Sequence, residues 1–163
     1  SYYSKAFNDG ITCKFIKESI NDIKEINGVY ELPVNKKKKK TGLRSKRYVP
    51  LDINGASFWE MSYYLNNSNH SCYVIILHSF SFVKTLDVQY TKFKPKWHII
   101  RRFEALCRFL NDNSDLFNVV TFSDLYKSDL NKISDHADHG FGGIPSYLSI
   151  MRGLTQLKDN INI

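Results

Sequence analysis

Residues 71–78 read Ser-Cys-Tyr-Val-Ile-Ile-Leu-His. From Cys72 to Leu77 the run is apolar without alternation, the pattern of a strand buried on both faces, as in a parallel sheet. Upstream, Ser57-Phe58-Trp59-Glu60 has the spacing of a capping box, in which Ser and Glu satisfy free backbone donors at a helix start. It predicts a helix from Ser57 to about Asn66, closed by the turn-forming polar residues Asn66 to Asn69. Downstream, Ile99, Ile100, Phe103, Leu106, Cys107 and Leu110 share one helical face, and Arg101, Arg102, Glu104 and Arg108 lie off it. This predicts a helix over 97–111. Phe117 to Phe122 reads as a strand, and Ser123-Asp124 as the cap of a short helical turn. Strand 71–77, helix 97–111 and strand 117–122 form a βαβ unit, whose strands would be parallel with a right-handed crossover. The expected fold class is therefore α/β, with parallel strands and crossover helices. His78 then falls at the C-terminal end of a strand, where working residues gather in such folds.

The 163 residues, 42% hydrophobic and 14% aromatic, suit one globular domain and exclude an intrinsically disordered chain. Residues 1–126 form the expected main body and 127–163 a C-terminal extension. The extension carries a predicted helix over 144–158 with Pro145 in its first turn. Ile16, Ile20, Ile23 and Ile26 suggest an amphipathic helix near the start. Residues 28–34 read as a strand opened by Gly28, 48–52 as a second extended piece, and 79–96 as a loop. No run approaches the ~18–20 apolar residues of a membrane span. The first ten residues do not resemble a secretory signal, which leaves the compartment open between cytoplasm and cell envelope.

There are 23 Lys+Arg against 16 Asp+Glu, a net charge of +7. Lys36 to Lys40, Arg44, Lys46 and Arg47 supply eight positive charges with no acid among them, so the remainder carries 7 − 8 = −1. Counterion release makes basic proteins candidate nucleic-acid binders. Confinement of the charge to residues 36–47 argues against nucleic acid as the partner of the whole protein. The segment is expected to be an exposed, solvated loop, or a lip over an anionic glycan on the same rim as His78. Cys13, Cys72 and Cys107 have no paired or zinc-like spacing and read as reduced, mostly buried thiols.

His78 is the leading candidate for chemistry, because an imidazole titrates near neutrality and can act as general acid or base. Ser79 beside it is not a nucleophile on this pattern: adjacent residues in an extended chain point oppositely, and no G-x-S-x-G elbow is present. His136 and His139, with Asp135 and Asp138, have a spacing that can bind metal on a helix. The surrounding glycines instead suggest a solvated loop without a third ligand. Tyr2-Tyr3 and Tyr63-Tyr64 read as packing aromatics rather than stacking platforms.

Three segments in order carry a resemblance to the C-terminal half of the polysaccharide deacetylase family, the NodB-homology fold. They are Gly28-Val29-Tyr30-Glu31-Leu32-Pro33-Val34, the stretch Tyr73 to Phe82 with its L-x-H-like Ile76-Leu77-His78, and Phe103-Glu104-Ala105-Leu106 through Leu125. Together they span about residues 28–125. The resemblance implies part of a deformed (β/α) barrel and metal-dependent removal of an N- or O-acetyl group from a sugar or polysaccharide. It makes His78 the proton donor to the leaving group, with Ile76, Leu77 and Phe80 bordering the acetyl methyl group. Ile76 stands where the motif usually has Leu. The divalent, zinc-like metal of the complete family domain is held by an earlier T-F-D-D segment and an H-x-x-x-H pair, and this sequence contains neither. An R-x-P-Y type segment is also missing. The chain, which starts at Ser1, is thus expected to be a piece that binds no metal by itself and has little activity alone. Two alternatives are a non-catalytic carbohydrate-binding or interaction domain on the same fold, and a nucleic-acid-binding protein using the basic segment. The sugar, the metal and the oligomeric state are not legible.

Overall fold

A computed structural model describes residues 23–41, 45–127 and 143–161. Its elements are β1 (Lys24–Ile26), β2 (Val29–Glu31), β3 (Lys36–Thr41), β4 (Ser45–Pro50), α1 (Phe58–Asn67), β5 (Val83–Thr85), β6 (Phe93–Pro95), α2 (Trp97–Asp112), α3 (Phe122–Lys127) and α4 (Ser146–Ile161). Among the described residues the ladders are three two-stranded antiparallel pairs, β1–β2, β3–β4 and β5–β6.

The core forms where α1 packs on α2 and α4. Leu51, Ile53, Ala56, Met61, Tyr64, Leu65, Ile99, Leu106, Ile144 and Leu148 are buried together. Each large apolar side chain removed from water in this way contributes about 1.5–3 kcal/mol. The α1 capping box forms as the sequence implies: Glu60 N–H donates to Ser57 Oγ at 3.2 Å, and Ser57 N–H donates to Glu60 Oε2 at 2.8 Å. Glu60 is itself buried, because it also accepts from Ser149 Oγ at 2.9 Å and is ion-paired with Arg152 Nε at 3.0 Å. One carboxylate thus starts α1 and fastens α4 to it.

Several expectations are corrected. Lys24–Ile26, the end of the expected N-terminal helix, is a strand paired with β2; residues before 23 lie outside the described set. Asn27 (φ 52) and Gly28 (φ 78) form the two-residue turn between Ile26 and Val29, the Asn-Gly hairpin signal. The basic segment is a β-hairpin rather than a loop, with Lys36 opposite Pro50 and Thr41 opposite Ser45. The expected loop 79–96 contains a 3₁₀ turn, Ser79–Phe82, and the β5–β6 hairpin. Phe117 to Thr121 joins no ladder, and Phe122 begins α3. Here a stronger local signal wins. Thr121 Oγ1 donates to Asp124 Oδ2 at 2.6 Å, and Asp124 N–H donates back to Thr121 Oγ1 at 3.2 Å, so Thr121 rather than Ser123 caps the helix.

The helix over 97–111 forms at α2, but its inward face is rotated. Arg102 is buried, whereas Cys107 is exposed and Cys72 half-buried. At α4, Pro145 precedes the first helical residue and its carbonyl accepts from Leu148 N–H at 3.2 Å.

Residues 71–77 are extended without a full ladder. Val74 O accepts from Asn35 N–H at 3.2 Å, Ile76 N–H donates to Leu51 O at 2.9 Å, and Ile53 N–H donates to Ile76 O at 3.1 Å. The last two bonds form a parallel bridge between Asp52 and Ile76. The parallel relation among the described residues therefore flanks α1, one helix earlier than the unit read from the sequence.

Candidate functional site

The two bridged segments run in the same direction, so their C-terminal ends lie together: Asn54 follows one and His78 the other. Asp52 shapes the first end as an Asx turn. Its Oδ1 accepts from Asn54 N–H at 2.9 Å and from Asn54 Nδ2 at 3.3 Å. Asn54 Nδ2 also donates to the buried Ser81 Oγ at 2.8 Å, which ties this turn to the 3₁₀ turn after His78. From α2, Arg102 Nη1 donates to the carbonyls of Ile53 at 2.6 Å and Asn54 at 3.2 Å. A buried guanidinium thus satisfies carbonyls that the single bridge leaves without ladder partners.

His78 is exposed at the mouth of this arrangement. Its carbonyl accepts from Ser81 N–H at 2.9 Å, and its ring stacks on Phe80, with centroids 4.8 Å apart and planes 7° from parallel. The stack restricts the imidazole plane while leaving the ring open to solvent and to an incoming group. Of the other expected site residues, Phe80 is 66% exposed and Leu77 37%, and Ile76 is half-buried in the bridge. Phe80 is thus brought against His78, while Leu77 and Ile76 reach the site through the chain they share with it. Ser79 is exposed and opens the 3₁₀ turn. His136 and His139 lie outside the described residues.

Asp52, Asn54, Ser81 and Arg102 were not singled out by the sequence. Asp-x-Asn was the available signal for the turn. Arg102, three residues after Ile99, was the available signal for a polar residue at the edge of the buried helix face.

The basic hairpin does not share a rim with His78. Its root, where Lys36 faces Pro50, lies at the N-terminal end of the bridged segments, beside Leu51 and Val74. The rim expectation assumed a strand running into the loop. Here Asn35 turns against Leu51, accepting its N–H at 2.6 Å, and the hairpin leaves from the far end.

Among the described residues, no group of three or more His, Cys, Asp or Glu is gathered to hold a metal ion. The donor set implied by the deacetylase resemblance is not met by these residues. Among them, too, no helix is long and apolar enough to cross a membrane. Two exposed carboxylates have lowered pKa values: Asp87, chiefly through the Thr91 hydroxyl, and Asp124, chiefly through the Thr121 hydroxyl. No family model, no curated protein and no solved structure matches the chain.

Proposed function

We propose that this chain carries the proton-donor side of a carbohydrate deacetylase site, on part of a deformed (β/α) barrel. The observation that carries the reading is His78: an exposed imidazole immediately beyond a parallel-bridged segment, its plane held by Phe80 and its turn anchored through Ser81 to Asn54. Placed there, His78 would deliver a proton to the amine or alcohol leaving as an acetyl group is hydrolysed. General-acid assistance of this kind is worth about 10²–10⁴ in rate. Phe80 and Leu77 would offer apolar surface to the acetyl methyl group. No step is assigned to a metal, since the described residues gather no donor set for one.

Acetate release from acetylated oligosaccharides tests the reading. His78→Ala should lower kcat at least about 100-fold with the circular dichroism spectrum unchanged. Unchanged turnover in that variant rejects His78 as the acid. A second reading, sugar binding without hydrolysis, is favoured by the exposed rings of Phe80, Tyr90, Phe93 and Trp97. It predicts saturable binding of the same oligosaccharides with no acetate released.

A further inference from the structure

We propose that the β5–β6 hairpin docks this chain on an anionic membrane surface, with its apolar turn among the headgroups and its lysines at the lipid phosphates and carboxylates. The inference stands apart from the deacetylase reading.

The hairpin is anchored at its root. Lys96 N–H donates to Phe82 O at 2.8 Å, and the Phe82 ring meets Phe103 of α2 edge-on, with centroids 5.5 Å apart. The turn at the other end is held by its own polar groups. Leu86 N–H donates to Lys92 O at 2.9 Å. Asp87 Oδ1 accepts from Thr91 N–H at 2.8 Å and from Lys92 N–H at 3.2 Å. Apolar side chains are not needed to fix this turn, yet three stand on it. Val88 is 92% exposed, and Leu86 and Tyr90 are each more than half exposed. Phe93, at the start of β6, is also more than half exposed. Scattered exposed apolar residues are ordinary, but a cluster on one element marks an interaction surface.

The register makes the ribbon amphipathic. Lys84 lies directly opposite Lys94, while Val83 with Pro95 and Thr85 with Phe93 occupy the alternate face. Like charges directly opposite repel, so an anionic surface that neutralises Lys84 and Lys94 favours the paired strands. Over residues 83–97 the cations are Lys84, Lys92, Lys94 and Lys96 and the one acid is Asp87, a net 4 − 1 = +3. Among the described residues none of these lysines is ion-paired.

This combination selects the partner. The core of a protein–protein interface is depleted in lysine, whereas here lysines flank every exposed apolar residue. A sugar ring would stack on aromatic faces, but the most exposed side chain is the aliphatic Val88. A membrane surface uses both parts. Apolar side chains enter the headgroup and acyl boundary by about 5–10 Å. Lysine stems lie along that apolar zone while their amines reach the anionic headgroups. Tyr90 on the turn and Trp97 just after β6 are the residue types that settle at such an interface. Strands of three residues extend about 10 Å, enough to carry the turn to that depth.

The test is co-sedimentation of the full 163-residue chain with vesicles of phosphatidylcholine alone or mixed equally with phosphatidylserine. Binding to the mixed vesicles should exceed binding to phosphatidylcholine by at least about 10-fold. L86S/V88S should weaken it by at least about 10-fold, and K84S/K92S/K94S by on the order of 100-fold. L86M/V88I and K84R/K92R/K94R should retain binding, which separates loss of contact from loss of the hairpin. Val88→Trp in a W59F/W97F background should shift its emission to the blue on mixed vesicles and be quenched by brominated lipid. No binding, or equal binding to both vesicle types, would overturn the proposal. So would an unquenched tryptophan at the tip, or binding unchanged by L86S/V88S and lost only when Lys36 to Lys40 are replaced with Ser.

Discussion

Replacing Glu60 with alanine removes the carboxylate that both starts α1 and fastens α4. The side chain is 2% exposed and its ion-pair partner Arg152 14%, so the pair is shielded from water. Loss of the capping half costs about 1 kcal/mol. Leaving Arg152 without its counter-charge costs about 3–5 kcal/mol when the pair is fully buried, and less here because Arg152 keeps some contact with water. The expected total is about 3–4 kcal/mol. In a chain of 163 residues each kcal/mol moves Tm by about 2–4 °C, so the midpoint should fall by about 6–16 °C. Urea unfolding followed by circular dichroism gives the free energy, and hydrogen exchange shows where protection is lost. Amides of α4 should lose protection before those of α2, because Ser149 and Arg152 are the groups that bond Glu60. A double-mutant cycle with Arg152→Ala should give a coupling of about 1–3 kcal/mol. A loss below about 1 kcal/mol, or no coupling, refutes the assignment of Glu60 as the fastening group.

Asn35→Ala removes a buried amide that accepts from Val74 N–H and donates to Cys72 O at 3.5 Å. It should destabilise the chain by about 1–3 kcal/mol in urea unfolding, with the slope unchanged. Ser81→Ala should cost about 1 kcal/mol, and it should also broaden the His78 ring signals in NMR if the Asn54 bond anchors that turn. His78→Ala should leave stability within about 0.5 kcal/mol, since the ring is exposed. Asp124 has a lowered folded pKa, so its cap contributes fully above the unfolded value near 3.8 and is lost as pH falls through the folded value. An NMR titration of the Thr121 and Asp124 amides should therefore show a midpoint below the ordinary carboxylate range, and Asp124→Asn should abolish that transition.

The signals that read correctly were local and short in range. Ser57 to Glu60 specified a capped helix because both partners lie within one turn, and the Ile99-to-Leu110 spacing specified α2 for the same reason. The Phe117-to-Phe122 strand failed because its apolar residues suggested a ladder while Thr121 and Asp124 offered the backbone a cap four residues long. Five successive lysines suggested a loop on grounds of repulsion, but repulsion does not forbid a hairpin whose backbone bonds are satisfied within itself. At the candidate site, His78 was legible from its position after an apolar run. Asn54, Ser81 and Arg102 were not, because their partners lie 27 to 49 residues away.

The sequence by itself determined where α1 and α2 lie, the confinement of eight positive charges to residues 36–47, and an imidazole next to Phe80. Tertiary structure alone decided that Asp52 bridges Ile76, that Arg102 turns inward to the Ile53 and Asn54 carbonyls, and that the basic arm and His78 occupy opposite ends of the bridged pair. The reason is physical. Helix caps and charge density depend on neighbours in the chain, whereas the direction in which an arm leaves and the carbonyls a guanidinium meets depend on which distant backbone groups need partners.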